Sequence, residues 1–465
     1  MDILSDIVPS QRETGSACRE ALRQQVREFF RQGAGEAREV VSLSEPVDIQ
    51  DPLLWLVSQS PAEKSYWSSR RRVYQQACIG VADIQSSAAP IAPTSLTTTL
   101  RALDFLPGGR YVGGMRFDPS VASDDRWGSY GTYRFILPRV EVRKTPAGTR
   151  IRLHVLPGRD TEADVLSVLD QLCFHEEKQT FPASFPALSH RIDAPERSTW
   201  EATVQRVLKE IRSSELEKLV LARLATFEFS GSLDAMHVLY RLREATSRCF
   251  HYAILPREGP SFIGATPELL FSQRGRTIRS EAVAGTRPRS ADKVEDEALG
   301  RALLESEKDQ REHAFVRDRI EAALKPHTSR LSVQSTPTVM ELANKRHLHS
   351  RIEGFLHPSV DKWDLLGALH PTPAVGGTPT DRAVKDIRAH EPVDRGWYAG
   401  PVGWVEDGDA TFGVGIRCGL VQGKRLALYS GAGIVEGSDP ASEWEEIEHK
   451  IRDFIDVLGL DSTQS

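Results

Sequence analysis

Short apolar segments closed by turn residues recur along the chain, and their alternation restricts the fold more than any other feature. RYVGGMRF (110–117), TYRFILPRVEVRK (132–144) and TRIRLHVLP (149–157) read as antiparallel strands and hairpins, because residues two apart share one face of a strand. LEKLVLARLATFEF (216–229) is aliphatic on both faces and reads as a buried strand; HYAIL, SFIGA and ELLFSQ follow as further strands, and more come after 397. Helical spacing marks residues 15–33, 198–214, one long helix over 294–324, and a C-terminal helix through ASEWEEIEHKIRDFIDVLGL. Ser198 and Glu201 have capping-box spacing, and the proline-rich stretch 180–196 is the expected linker. Antiparallel strands mixed with long helices predict an α+β fold rather than a regular parallel sheet.

The 59 Lys+Arg against 65 Asp+Glu leave a net charge of −6, which lacks the footprint of a nucleic-acid binder or anionic-membrane binder. Five scattered cysteines without a C-x-x-C pair suit a reducing compartment and suggest neither a disulfide framework nor a zinc site. Asp2 and Asp6 stand where a secretory leader needs positive charge, and no apolar run nears the roughly 20 residues that span a bilayer. The expectation is a soluble, cytoplasmic protein. Gly431, Gly433 and Gly437 miss the dinucleotide spacing, GGTPTDRA lacks the P-loop lysine, and HEEKQ (175–179) is not H-E-x-x-H.

Four places carry candidate chemistry. Glu443, Glu446 and Lys450 share one helical face beside the apolar stripe Trp444, Ile447, Ile451, Phe454 and Leu458. Carboxylates bordering a buried face call for a cation, and Mg²⁺ suits oxygen ligands; an ordinary Glu446–Lys450 surface pair fits the spacing too. Glu312 stands near Phe315 and Val316 on a charge-rich helix, either as an inward ligand or as a solvated residue. Lys218 interrupts an aliphatic strand, and burial disfavours the charged form of an amine, as a general base requires. Glu268 follows a Thr-Pro turn at a strand start, where a shielded carboxyl stays protonated and can act as an acid.

These residues fall within a longer series of blocks. KLVLAR (218–223), FIGATPELL (262–270), AVAGTRPR (282–289), SEKDQREH (306–313) and RHLHSRIEG (346–354) come first. LHPTPAVGGTPTDRA (369–383), RGWYAGPVGW (395–404), FGVGIRCG (412–419), SGAGIVEGSDP (430–440) and EWEEIEHK (443–450) follow in order. The series resembles the chorismate-utilising enzymes, most closely their isochorismate synthase branch. The resemblance implies two large antiparallel sheets flanked by helices, with residues 1–195 completing the sheets of a catalytic region over 196–460 and a disordered tail at 461–465. It implies Lys218 as the base that activates water for attack at C2 of chorismate, and Glu268 as the acid for the departing C4 hydroxyl. Glu312 and Glu446 match Mg²⁺ ligands, with Glu443 acting nearby through water. Arg417 and Lys450, helped by Gly431, match a grip on the enolpyruvyl carboxylate; Tyr398, Gly285, Thr286 and His347 match pocket residues.

Within the family, anthranilate and aminodeoxychorismate synthases resemble one another in using ammonia, with glutamine at the position of Lys218. Lysine here favours water as nucleophile and no amidotransferase subunit. Ala284 stands where the PIKGT lysine of aminodeoxychorismate enzymes stands, which closes that covalent route. HPTPAVGG and GIRCG favour stopping at isochorismate over the pyruvate elimination of salicylate synthases, and the presence of Lys218, Glu268, Glu312 and Glu446 argues against a catalytically silent relative. RGWYAGPVGW and KSYWSSRRRVYQQACIGVAD (64–83) look more like menaquinone-pathway than siderophore enzymes. A monomer or weak dimer is expected. Gly376 and Gly413 depart from the usual family residues and are expected to loosen the pocket slightly.

Overall fold

The computed structural model describes residues 11–33, 39–60, 62–174, 181–290, 292–342 and 345–460. The expected tail at 461–465 and the HEEKQ segment therefore lie outside the described residues. All strand pairings are antiparallel. One sheet runs from Val41–Pro46 through Gly148–Val155, Tyr133–Thr145, Gln75–Ser87, Lys64–Ser68, Phe250–Leu255, Ser261–Thr266, Cys418–Gln422, Arg425–Val435 and Lys218–Phe229 to Leu188–Ala194. The second leaves Tyr133–Thr145 and passes through Tyr111–Met115, Pro401–Glu406, Asp409–Val414, Leu269–Arg274 and Thr277–Pro288 to Lys345–Leu356. Hydrogen bonding is continuous between the two. Strands from before residue 195 pair into both.

The chain passes between sheets at two short breaks that face each other in sequence logic. Pro267 and Glu268 separate Ser261–Thr266 from Leu269–Arg274, and Gly415–Arg417 separate their respective partner strands. One apolar core draws on both sheets, with Phe135, Phe262, Trp397, Trp404 and Phe412 fully buried. A second core lies where the first sheet meets helices, through Phe227 and Ile263 on strands and Leu22, Val238 and Phe454 on helices.

Three local expectations are corrected. The presumed linker contains the strand Leu188–Ala194, paired along Lys218–Phe229. Its prolines flank the paired residues, and an edge position tolerates a neighbour without an N–H. The long helix over 294–324 is two helices, Lys293–Glu305 and Glu307–Leu324. Ser306 is extended between them (φ −71°, ψ 109°), and its hydroxyl accepts the N–H of Asp309, so it caps a fresh helix. The helix read from Ser198 begins at Arg197, where Glu201 pairs with Arg197 at 2.9 Å and Ser198 donates to Glu196 instead of capping.

Candidate active site

A cleft opens at the seam between the sheets and the helices Glu307–Leu324 and Pro440–Leu458. Lys218, Glu268, Gly285, Thr286, Glu312, His347, Tyr398, Arg417, Gly431, Glu446 and Lys450 all line it. Of the residues given a catalytic, binding or metal role from the sequence, Glu443 alone does not; it precedes Glu446 by one turn.

Strands supply the dry side. Lys218 begins the strand Lys218–Phe229 and is only 5% exposed. Its backbone is held by the short pairing of Gly377 and Thr378 with Leu219 and Lys218. On the neighbouring strand a Cβ at Gly433 would stand 2.7 Å from Lys218 Cε, so glycine is what lets the amine lie there. The next turn of wall is braced by a buried ion pair. Arg395 donates to the carbonyls of Val220 and Val375, and Glu391 accepts the N–H of Ala222 at 2.7 Å.

Glu268 sits in the break between two strands, with its N–H on Thr266 Oγ1 and its carbonyl on the N–H of Val414. Burial pushes its carboxyl up to about 7, the Lys218 ammonium opposing that only in part. Gly413 does not loosen this wall. A Cβ there would meet Thr266 Cγ2 at 3.1 Å and the Glu268 carbonyl at 3.3 Å, so its glycine permits tight closure. Gly376 is likewise packed closely: a Cβ there would meet Pro371 Cγ at 3.3 Å and the Thr372 carbonyl at 3.4 Å.

Arg417 adopts a left-handed conformation (φ +52°) in the partner break, a strained setting for a residue with a side chain. Its guanidinium lies 3.4 Å from the Lys450 carbonyl and 3.7 Å from Asp453. Lys450 reaches the Gly431 carbonyl at 2.8 Å and Glu446 at 2.6 Å. His347 is held near 3 by burial, with the Arg417 charge adding to it, so its ring is neutral. Its Nδ1 lies 3.0 Å from the Gly285 carbonyl and 3.1 Å from Thr286 Oγ1. Its buried Nε2 has no partner among the described residues. A neutral ring donating from Nδ1 leaves Nε2 an acceptor for a hydroxyl.

Helices supply the wet side. The side chains of Glu312 and Glu446 are 39% and 46% exposed. Glu312 lies 3.5 Å from the Lys218 ammonium. The Lys450 ammonium holds the Glu446 carboxyl below the ordinary range, while burial raises that of Glu443, with the Glu446 charge adding to it. Among the described residues no three acidic, His or Cys side chains are gathered as a ligand shell. The chemistry still fits a hard divalent cation: the donors are carboxylate oxygens, and a cation would relieve the repulsion that Glu443 feels.

Sequence reasoning missed Ser430 and Gly433, both lining the cleft. The buried Ser430 hydroxyl lacks a partner among the described residues. A glycine inside a strand was the available signal for the close approach at Gly433; Ser430 offered none.

Among the described residues no helix is long and apolar enough to cross a membrane. A family profile described as "Chorismate binding enzyme" matches residues 24–459. Isochorismate synthase MenF of Escherichia coli is 30% identical over 417 residues, covering 89% of this chain and 92% of that protein. The chloroplastic isochorismate synthase of Catharanthus roseus is 34% identical over 76% of this chain, the match spanning 63% of its own length. The solved structure of E. coli MenF, described as the menaquinone-specific isochorismate synthase, superposes with a TM-score of 0.80 at 28% identity, over 94% of this chain and 100% of that one. Anthranilate synthase component I of Streptococcus pneumoniae shares the fold at 20% identity and a TM-score of 0.64. A sandwich of antiparallel sheets, a cleft at its seam and a profile match over nearly the whole length agree, and the chain belongs to the chorismate binding enzyme family.

Proposed function

We propose that this chain is an isochorismate synthase, interconverting chorismate and isochorismate by adding water at C2 and expelling the C4 hydroxyl. The observation that carries the reading is a buried amine, Lys218, and a buried carboxyl poised near 7, Glu268, lining one cleft with two cations. Lys218, acting in its neutral amine form after its ammonium has given a proton to solvent, takes a proton from the attacking water, and Glu268 gives one to the departing hydroxyl, which leaves as water. Each residue must operate near its working pKa, and a carboxyl raised by burial meets that need. The two protons return through solvent. Substrate and product are isomers, so the reaction runs in both directions.

Chorismate carries two carboxylates. Arg417 and Lys450 would grip the enolpyruvyl one, charge-assisted and close to the Gly431 carbonyl; Tyr398, Gly285 and Thr286 would shape the walls. The neutral His347 Nε2 would accept a substrate hydroxyl. Glu312 and Glu446 would hold Mg²⁺, with Glu443 behind them. When bound, the metal neutralises the ring carboxylate. Water as nucleophile needs no amidotransferase partner, and we expect a cytoplasmic monomer or weak dimer. The RGWYAGPVGW block, together with a menaquinone-specific relative covering nearly the whole chain, favours supply of menaquinone synthesis over siderophores.

Incubating the purified protein with chorismate and Mg²⁺ and separating the products tests this. Isochorismate alone is expected. Salicylate with pyruvate would move the chain to the lyase-competent branch, and no turnover would sink the reading. EDTA should stop the reaction and Mg²⁺ restore it.

A further inference from the structure

The loop 370–377 and the helix Glu307–Leu324 each wall two cavities. Ala374 and Val375, with Glu312 and Val316, face the catalytic cleft. Thr372 and Pro373 of the same loop, with Arg319 and Ile320 of the same helix, line a second cavity of about 590 Å³. That lies within the roughly 300–1,000 Å³ of small-molecule sites.

Its lining combines apolar surface with cationic side chains. Leu96, Phe117, Ile320 and Leu369 give the apolar surface. The Thr372 side chain, 5% exposed, leaves Oγ1 buried without a partner among the described residues. The helix Thr380–His390 opens into the cavity through Thr380 and Asp381, and Pro379 at its N-cap offers no side-chain acceptor. Its first N–H groups therefore present the positive end of the helix dipole uncapped. Of three lining cations, Arg388 is spent on Asp118 at 2.5 Å. Arg319 and Lys385 have no carboxylate within ion-pair distance among the described residues, and Asp381 is the one remaining lining acid. The balance favours one negative charge.

We propose that this cavity binds a small aromatic or alicyclic monocarboxylate, and that its occupancy is felt in the catalytic cleft through the shared loop and helix. The carboxylate meets Thr372 Oγ1, the helix N-terminus, Arg319 and Lys385, while the ring lies against Phe117 and Leu369. The binding part stands apart from the proposed reaction, because it is read without turnover.

2-Naphthoate is a suitable probe, followed by its fluorescence and by calorimetry on the full chain. We expect saturable binding that excess chorismate does not displace, and binding of the neutral 2-naphthamide weakened at least about tenfold. Thr372→Val should weaken 2-naphthoate, and the surface double variant R319A/K385A should do so by about tenfold or more. Saturating 2-naphthoate should change KM or kcat for chorismate in the native protein and leave the double variant unchanged. Displacement by chorismate, equal affinity for the amide, undiminished binding by both variants, or no binding at all would overturn the site. Binding with unchanged kinetics in an enzyme that turns over would overturn the coupling.

Discussion

The two walls of the catalytic cleft are built on opposite principles. The strand wall holds Lys218 and Glu268 at 5% and 9% exposure, Lys218 by strand pairing on both sides and Glu268 by the Thr266 hydroxyl and the N–H of Val414. The helix wall offers Glu312 and Glu446 with 39% and 46% of their side chains in solvent. Burial on the dry, rigid wall raises the Glu268 carboxyl. On the helix wall the Lys450 ammonium keeps the Glu446 carboxyl charged, ready for a cation. In the proposed reaction, proton transfer and charge neutralisation would fall to different secondary structure, and each can be attacked separately.

The largest effect is expected on the strand wall. Lys218→Ala and Glu268→Gln should each lower kcat by about 10²–10⁴-fold, the usual worth of a positioned acid or base, while circular dichroism stays native. Near-normal turnover in either would abolish the contrast. On the helix wall, Glu312→Gln and Glu446→Gln should weaken Mg²⁺ by at least the roughly 10–100-fold that loss of an outer-shell partner costs, and be rescued in part by excess metal. Lys218→Ala should not be rescued that way. If excess Mg²⁺ fails to rescue both glutamine variants, the helix wall does more than hold a cation.

A pH profile sharpens the contrast further. The Glu268 carboxyl titrates at about 7, so it is protonated below that value and loses its proton above it. kcat/KM should therefore fall on the alkaline side, by roughly tenfold per pH unit once past the transition. Glu446, held below the ordinary carboxylate range by Lys450, is ionised across the same interval, so the Mg²⁺ requirement should stay flat. A flat rate profile would remove Glu268 as the proton donor.

The same division explains what could be read from the sequence. Lys218 was legible because a lone charge in an aliphatic strand violates the burial pattern. Glu443, Glu446 and Lys450 were legible because helical spacing is local. The Ser306 break was not, since Leu299 and Leu303 before it and Val316, Ile320 and Leu324 after it each keep helical spacing, and the polar run 305–313 between them reads equally as a solvated stretch of one helix. Leu188–Ala194 was hidden because its pairing lies with residues about 35 positions away, which no local window sees. Gly413 and Gly433 were misread or missed for the same cause: the atoms that a Cβ would strike, on Thr266 and Lys218, belong to distant strands.

Ser306 also yields the smallest of the expected effects. Its hydroxyl starts the helix that carries Glu312, two turns on. Ser306→Ala should cost about 1 kcal/mol, lowering Tm by roughly 2 °C or less in a chain of this size. Fraying the first turn gives Glu312 more ways to point and leaves the strand wall untouched. The half-saturating Mg²⁺ concentration should rise by no more than about fivefold, the equivalent of that energy, with kcat at saturating metal unchanged. A fall in kcat that metal does not restore would mean that the two walls move together, and that the helix positions the amine of Lys218, 3.5 Å from Glu312, as well as the cation.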